Sequence, residues 1–303
     1  MINDVLSWEK FYSVSKKRRS YPPKNPKPFN RLVAYTNNFF AISGIGAFTK
    51  GYILVITREL LSSYALVHEK HHNELNWFIQ TISEATEKAY SRKVAIFEHG
   101  MCACIGGLDR AHLHLLNVNE KVSKKDVILS INNTLIKRRA GINYIQYKKY
   151  KFENVHDINE IMNSPKKNSY KIYGKQLNYN DIKNDLNLSK WPLSALNHVK
   201  KGGHYVYFKL PSKSCSFLTN KNFNTQIGRE ILFDVEIKSN KKLNTLKKDV
   251  LKNNQYANLW KWQEFPFNEN MIHTMRDLAP FLTEAQNSST SKLYNFKTFA
   301  IKD

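Results

Sequence analysis

Cysteine is scarce. The chain has three in 303 residues, Cys102, Cys104 and Cys215, an odd number with no Cys-x-x-Cys pair. That spacing indicates neither a disulfide framework nor a thiolate zinc site, and it suits a reducing, intracellular compartment. Acidic residues are few as well: 25 Asp and Glu stand against 47 Lys and Arg, leaving a formal charge of +22. A field of that sign favours polyanions, so nucleotides and nucleic acid are candidate partners, the latter through a basic surface. Long apolar runs are missing. None approaches the length of a membrane span, so no membrane partner is expected. The first residues, Met1-Ile2-Asn3-Asp4-Val5, lack the basic-then-apolar pattern of a signal peptide. These absences together point to a cytoplasmic protein. What is present, 42% hydrophobic and 13% aromatic residues, is the composition of a folded chain. No internal repeat is visible.

Three regions follow from composition and pattern. Residues 1–29 form a basic, Pro-rich arm. It carries Lys16-Lys17-Arg18-Arg19, and its prolines at 22, 23, 26 and 28 exclude helix and sheet interior. Residues 30–142 read as a core domain. Strands are expected at 31–40, with a turn or bulge at Asn37-Asn38, and at 51–57, 94–97 and 111–116. Ser62-Ser63 is expected to cap a helix running to about residue 90, with Leu66, Leu75, Phe78, Ile79 and Ile82 on its buried face. A second helix is expected over 123–139. The order strand, strand, helix, strand, strand with short connections predicts antiparallel pairing and an α+β fold. Residues 143–303 form a C-terminal α+β region, polar as far as 190. A short strand is expected at 170–175, another strand at 204–210, and helices at 226–235 and 270–278.

Two histidine clusters carry chemistry. His112 and His114 alternate with Ala111, Leu113, Leu115 and Leu116. Period two places both imidazoles on one strand face and Leu113 and Leu115 on the other. The competing reading is an edge strand with two solvated histidines. His68-Glu69-Lys70-His71-His72 matches the His-Glu-x-x-His pattern of zinc metallopeptidases. On a helix, His68 and His72 would lie one turn apart, with Glu69 as general base and Glu84 or Glu87 as a third ligand. The flanking Leu66-Val67 and Asn73-Glu74-Leu75 suit an ordinary amphipathic surface helix equally well.

The run Gly51-Tyr52-Ile53-Leu54-Val55-Ile56, then Phe97-Glu98-His99-Gly100, then Asp109-Arg110-Ala111-His112-Leu113-His114, resembles the histidine-triad (HIT) family over about residues 30–120. A weaker likeness extends to larger members through 204–210, Arg229, Trp260-Lys261-Trp262 and the helix at 270–278. The resemblance implies a HIT-like antiparallel sheet with flanking helices and an elaborated C-terminal half. It implies that His112 attacks the α-phosphorus of a nucleotide and forms a covalent nucleotidyl-imidazole, which water or an acceptor discharges. His114 would hydrogen-bond a phosphate oxygen or the leaving group. Backbone N–H groups at Gly106 and Gly107 would offset developing charge, and His99 would lie beside them. No cofactor and no metal are implied, and members commonly form homodimers. Three positions depart from the family. Arg110 stands in place of the first histidine, where it can grip phosphate but cannot orient a partner as a neutral imidazole does. Tyr52 replaces the usual histidine of its strand, and Asn117 stands where many members have Pro. Gln226 and Arg229, one helical turn apart, are further candidates to reach the substrate. Trp260 and Trp262 read as core rather than as a base-stacking platform. The expectation is therefore a nucleotidyl hydrolase or transferase. The alternatives are a nucleotide- or nucleic-acid-binding protein impaired in turnover by Arg110, and the zinc peptidase.

Overall fold

A computed structural model describes residues 31–101, 104–105, 108–122, 126–127, 130, 170–172, 175–177, 191–211, 214–219, 226–253, 259–262, 265 and 267–298. The arm at 1–29, Gly106 and Gly107, and nearly all of the helix expected over 123–139 lie outside these residues.

The first expected strand is two strands. β1 (Leu32–Tyr35) and β2 (Phe39–Ser43) pair antiparallel. The Thr36 N–H donates to Phe39 O at 2.8 Å, closing the turn around Asn37-Asn38. β3 (Ile53–Thr57) follows, then β4 (Lys93–Gly100). The short strands β5 (Cys104–Ile105) and β6 (Leu108–Asp109) pair with each other before β7 (His112–Val118). β8 (Tyr170–Ile172) and β9 (Lys175–Leu177) form another small pair, and β10 (His204–Lys209), β11 (Ser214–Thr219) and β12 (Lys297–Thr298) follow. Among the described residues the helices with defined bounds are α1 (His72–Tyr90), α2 (Leu196–Lys200), α3 (Ile227–Glu236), α4 (Lys241–Asn253), α5 (Asn268–Gln286) and α6 (Ser289–Leu293).

Eight strands form one antiparallel sheet in the order β11-β10-β4-β7-β3-β2-β1-β12. With the helices this is a mixed α+β architecture. The sheet crosses the boundary drawn at residue 142. β10 and β11 extend it at one edge and β12 at the other, so the C-terminal region completes a sheet begun by the first.

The central strand is β7, and its alternation decides which residues meet which layer. Leu113 and Leu115 join Ile53, Val55 and Ile96 in a buried cluster with Leu75, Phe78, Ile79 and Ile82 of α1 and Leu278 and Leu282 of α5. The opposite face gathers Tyr52, Phe97, Leu116, Val206 and Phe208 against Ile227 and Ile231 of α3 and against Trp260. Trp260 is thus core, as its sequence context suggested. Full burial of each large apolar side chain stabilises by about 1.5–3 kcal/mol, so helices on both faces hold β7 firmly in register.

The helix expected from Ser62-Ser63 begins later. Ser63 caps only a single 3-10 turn (Tyr64–Leu66), its side chain accepting from the Ala65 N–H. Extended backbone at Val67 and His68 breaks the run before a second 3-10 turn (Glu69–His71), and α1 starts at His72. Glu98 holds both the Tyr64 N–H and the Ser63 hydroxyl, at 2.7 and 3.1 Å, and pins the segment to β4. No helix among the described residues is long and apolar enough to cross a membrane.

Candidate active site

Antiparallel register brings three histidines to one sheet face. β7 pairs with β3 through Ile56 opposite His112 and Leu54 opposite His114. It pairs with β4 through Phe97 opposite His114, and continuing that register sets His99 opposite His112. His112, His114 and His99 therefore share the face that Leu113 and Leu115 leave.

His112 is half-buried, and its Nδ1 lies 3.0 Å from the carbonyl oxygen of Arg110. A carbonyl only accepts. Nδ1 therefore carries the proton, and Nε2 keeps an in-plane lone pair. Burial pulls the His112 pKa below the usual histidine value, and the Arg110 carbonyl, which favours the charged ring, works weakly against it. The ring is neutral near pH 7. Its tautomer is that of a nucleophile.

His114 is 3% exposed. Its ring lies flat on Phe97, with centroids 4.0 Å apart and planes 6° apart, and edge-on to His112 at 4.8 Å. Its Nδ1 is 2.5 Å from the Tyr52 hydroxyl. Burial first, then the charges of His112, Arg229 and His99, hold its pKa well below the usual histidine range. Among the described residues nothing bonds Nε2 of either His112 or His114.

The other expected site residues take three kinds of place. Arg110 is half-buried, and its Nη1 donates to Thr57 O at 3.4 Å and to Arg58 O, tying the entry of β7 to the end of β3. Arg229 is 2% exposed, in α3. It donates from Nε to Trp260 O (3.0 Å), from Nη1 to Ile45 O (3.3 Å) and from Nη2 to Gly46 O (2.6 Å). The guanidinium is seated in the protein, over the rings of Phe48 and Tyr52. Gly46 has φ +73°, and a Cβ there would run into Trp262 and the Arg229 Nη2, so both the backbone and the space call for glycine. Gln226 stands just before α3, half-buried, where its carbonyl accepts the Glu230 N–H at 3.1 Å. Its link to the site is adjacency to Arg229. Gly107 lies outside the described residues. Asn117, at the far end of β7, donates to Lys50 O at 3.0 Å.

The zinc reading requires correction. His68 and His72 do not sit one turn apart on a helix. His68 lies in extended backbone and accepts the Lys70 N–H, while Nε2 of His72 is turned to Val67 O at 2.9 Å. Among the described residues no group of three or more His, Cys, Asp or Glu side chains is arranged to hold a metal ion.

Two features escaped the sequence reading. One is Tyr52 as the partner of His114. It was visible only as a departure from the family pattern, although period two puts it diagonal to His114 across the β3–β7 pair. The other is Glu98, 1% exposed, on the side of β4 away from His99. It accepts from Ser63 Oγ, Tyr64 N, Trp191 Nε1 (3.0 Å) and the Tyr205 hydroxyl. Burial pushes its pKa up, and these four donors pull back. Its signal was its place inside Phe97-Glu98-His99-Gly100. The chain matches no model of a known protein family and no curated protein.

Proposed function

We propose that the protein is a histidine-triad-like nucleotidyl hydrolase or transferase, with His112 as nucleophile. The observation that supports this best is the hydrogen bond from His112 Nδ1 to the Arg110 carbonyl. It leaves Nε2 as a lone pair on a neutral ring, and nucleophilic attack on phosphorus requires that state. In the first step the Nε2 pair forms an N–P bond to the α-phosphorus. The P–O bond to the leaving group (P–N in a phosphoramidate) breaks, and its electrons depart with the leaving atom. The ring becomes a nucleotidyl-imidazolium whose Nδ1–H still points at the Arg110 carbonyl. In the second step water or an acceptor hydroxyl attacks phosphorus and gives its proton to solvent, while the N–P bond breaks and its electron pair returns to Nε2. His114 donates to a phosphate or leaving-group oxygen. Arg110, His99, Gln226 and a backbone N–H at Gly107 are the proposed phosphate contacts, and the positive field of the chain draws the anionic substrate in.

A second reading has its own observation. Arg110 Nη1 is already bonded to the carbonyls of Thr57 and Arg58, which suits a site that holds nucleotide without turning it over. Incubation with a panel of adenylylated and guanylylated phosphoanhydrides and phosphoramidates, with and without chelator, separates the two. Turnover that resists chelator and is lost in His112→Ala supports the enzyme. Tight, salt-sensitive binding without turnover supports the binding protein.

A further inference from the structure

Tyr52 is fully buried and has one hydroxyl proton to place. Among the described residues its two polar neighbours are Nδ1 of His114, at 2.5 Å, and the guanidinium of Arg229. Arginine has no acceptor. If His114 donated from Nδ1 to the phenol oxygen, the phenol proton would point at donors only, and a buried donor without a partner costs about 1–3 kcal/mol. The arrangement that gives the phenol proton an acceptor runs one way, and it leaves His114 Nε2 turned to the site rather than to a protein partner. Arg229 presents N–H groups and positive charge to the Tyr52 oxygen, Tyr52 donates to His114 Nδ1, and the His114 proton must sit on Nε2. Arg229 is fixed in turn by the carbonyls of Trp260, Ile45 and Gly46.

We propose that Tyr52 and Arg229 are positioning residues that lock His114 as its Nε2–H tautomer, so that His114 can only donate toward substrate while His112 can only accept or attack. The two rings, two residues apart on one strand, thus hold opposite tautomers, each set by a different neighbour: a phenol for His114 and a backbone carbonyl for His112. Arg229 acts from the C-terminal half without touching substrate, which revises its expected role as a phosphate ligand. The use of His114 in catalysis rests on the proposed nucleotidyl transfer. Its tautomer does not.

The test is long-range proton–nitrogen correlation NMR of the histidine rings in the full-length protein near neutral pH, with His114 assigned from the spectrum of His114→Gln. Expected are an unprotonated Nδ1 and a protonated Nε2 for His114, and the reverse for His112. In Tyr52→Phe, which keeps the ring and removes the hydroxyl, His114 should lose the single tautomer while His112 keeps its own. If turnover is observed, Tyr52→Phe should lower kcat on the order of 10- to 100-fold, with a smaller change in KM, through misplacement of the donor. A protonated Nδ1 on His114, or a tautomer unchanged in Tyr52→Phe, would overturn the proposal. The expected tautomers in a protein that never labels His112 would leave the relay standing and remove the nucleotidyl-transfer reading.

Discussion

Phe97 lies flat against His114, ring centroids 4.0 Å apart, because β4 and β7 place these two residues directly opposite each other. The phenyl ring closes one side of the imidazole and supplies part of the burial that holds His114 neutral. Phe97→Ala should therefore act twice. It should destabilise the fold by about 3–5 kcal/mol, as truncation of a buried Phe does. It should also admit water to His114 and raise its pKa toward the ordinary value. Thermal unfolding and a histidine NMR titration measure the two effects. Loss of stability with no movement of His114 would mean that Phe97 is packing alone.

The histidine pKa shifts set a pH dependence. His112 and His114 are both pushed below the ordinary histidine value of 6.5, mainly by burial. A nucleophilic His112 must be neutral, so the acid limb of kcat/KM should fall below that of an exposed histidine. The sign for stability follows from the same shifts. Above 6.5 both folded and unfolded rings are neutral and stability is at its full value. As pH drops through 6.5 the unfolded chain binds protons that the folded chain refuses, and stability falls until the folded pKa values are reached. Unfolding followed from pH 8 to pH 5.5 should show that decline, reduced in His114→Gln.

Glu98 anchors the other side of β4. Glu98→Ala would strip the partner from the Ser63 and Tyr205 hydroxyls, the Tyr64 N–H and the Trp191 indole. A loss of about 3 kcal/mol or more is expected, because several buried donors lose their acceptor together. Gly100→Ala should hurt the same region for a steric reason, since its Cβ would fall within the Tyr205 ring. Denaturant midpoints for both variants check this. A neutral Gly100→Ala would show that Tyr205 can move aside.

Arg110 serves the site with two different groups. Its backbone carbonyl orients His112, and its side chain braces β3. Arg110→Ala keeps the carbonyl. It should weaken nucleotide affinity and its salt dependence while leaving covalent labelling of His112 intact. Arg110→His should likewise retain labelling. Loss of labelling in Arg110→Ala would mean that the guanidinium, not the carbonyl, sets the nucleophile.

Period two was enough to read the strand at His112, its buried Leu113 and Leu115 and the shared face of its histidines, because alternation is a local property. The strand expected at 51–57 from its apolar, β-branched run and the helix expected at 226–235 were also legible locally, and they form at 53–57 and 227–236. The start of α1 was not. Ser63 is a sound N-cap by type and caps a turn, but extended backbone at Val67 and His68 ends that turn, and the contact of Glu98, 35 residues on, with Ser63 and Tyr64 exists only in the folded chain. Arg229 was legible as a site candidate and illegible in its role. Carbonyls at Ile45, Gly46 and Trp260 converge on it only in the folded chain. Nor could the sequence show that β10, β11 and β12 would extend the same sheet, since edge pairing over such separations leaves no local pattern.

Covalent capture tests His112 as the nucleophile. The protein would be mixed with an adenylylated or guanylylated substrate, quenched in alkaline denaturant to preserve a phosphorus–nitrogen bond, digested and mapped by mass spectrometry. One nucleotidyl group is expected on His112, absent in His112→Ala and still formed in Arg110→Ala. Consumption of substrate with no adduct, or with the adduct on any other residue, would contradict it.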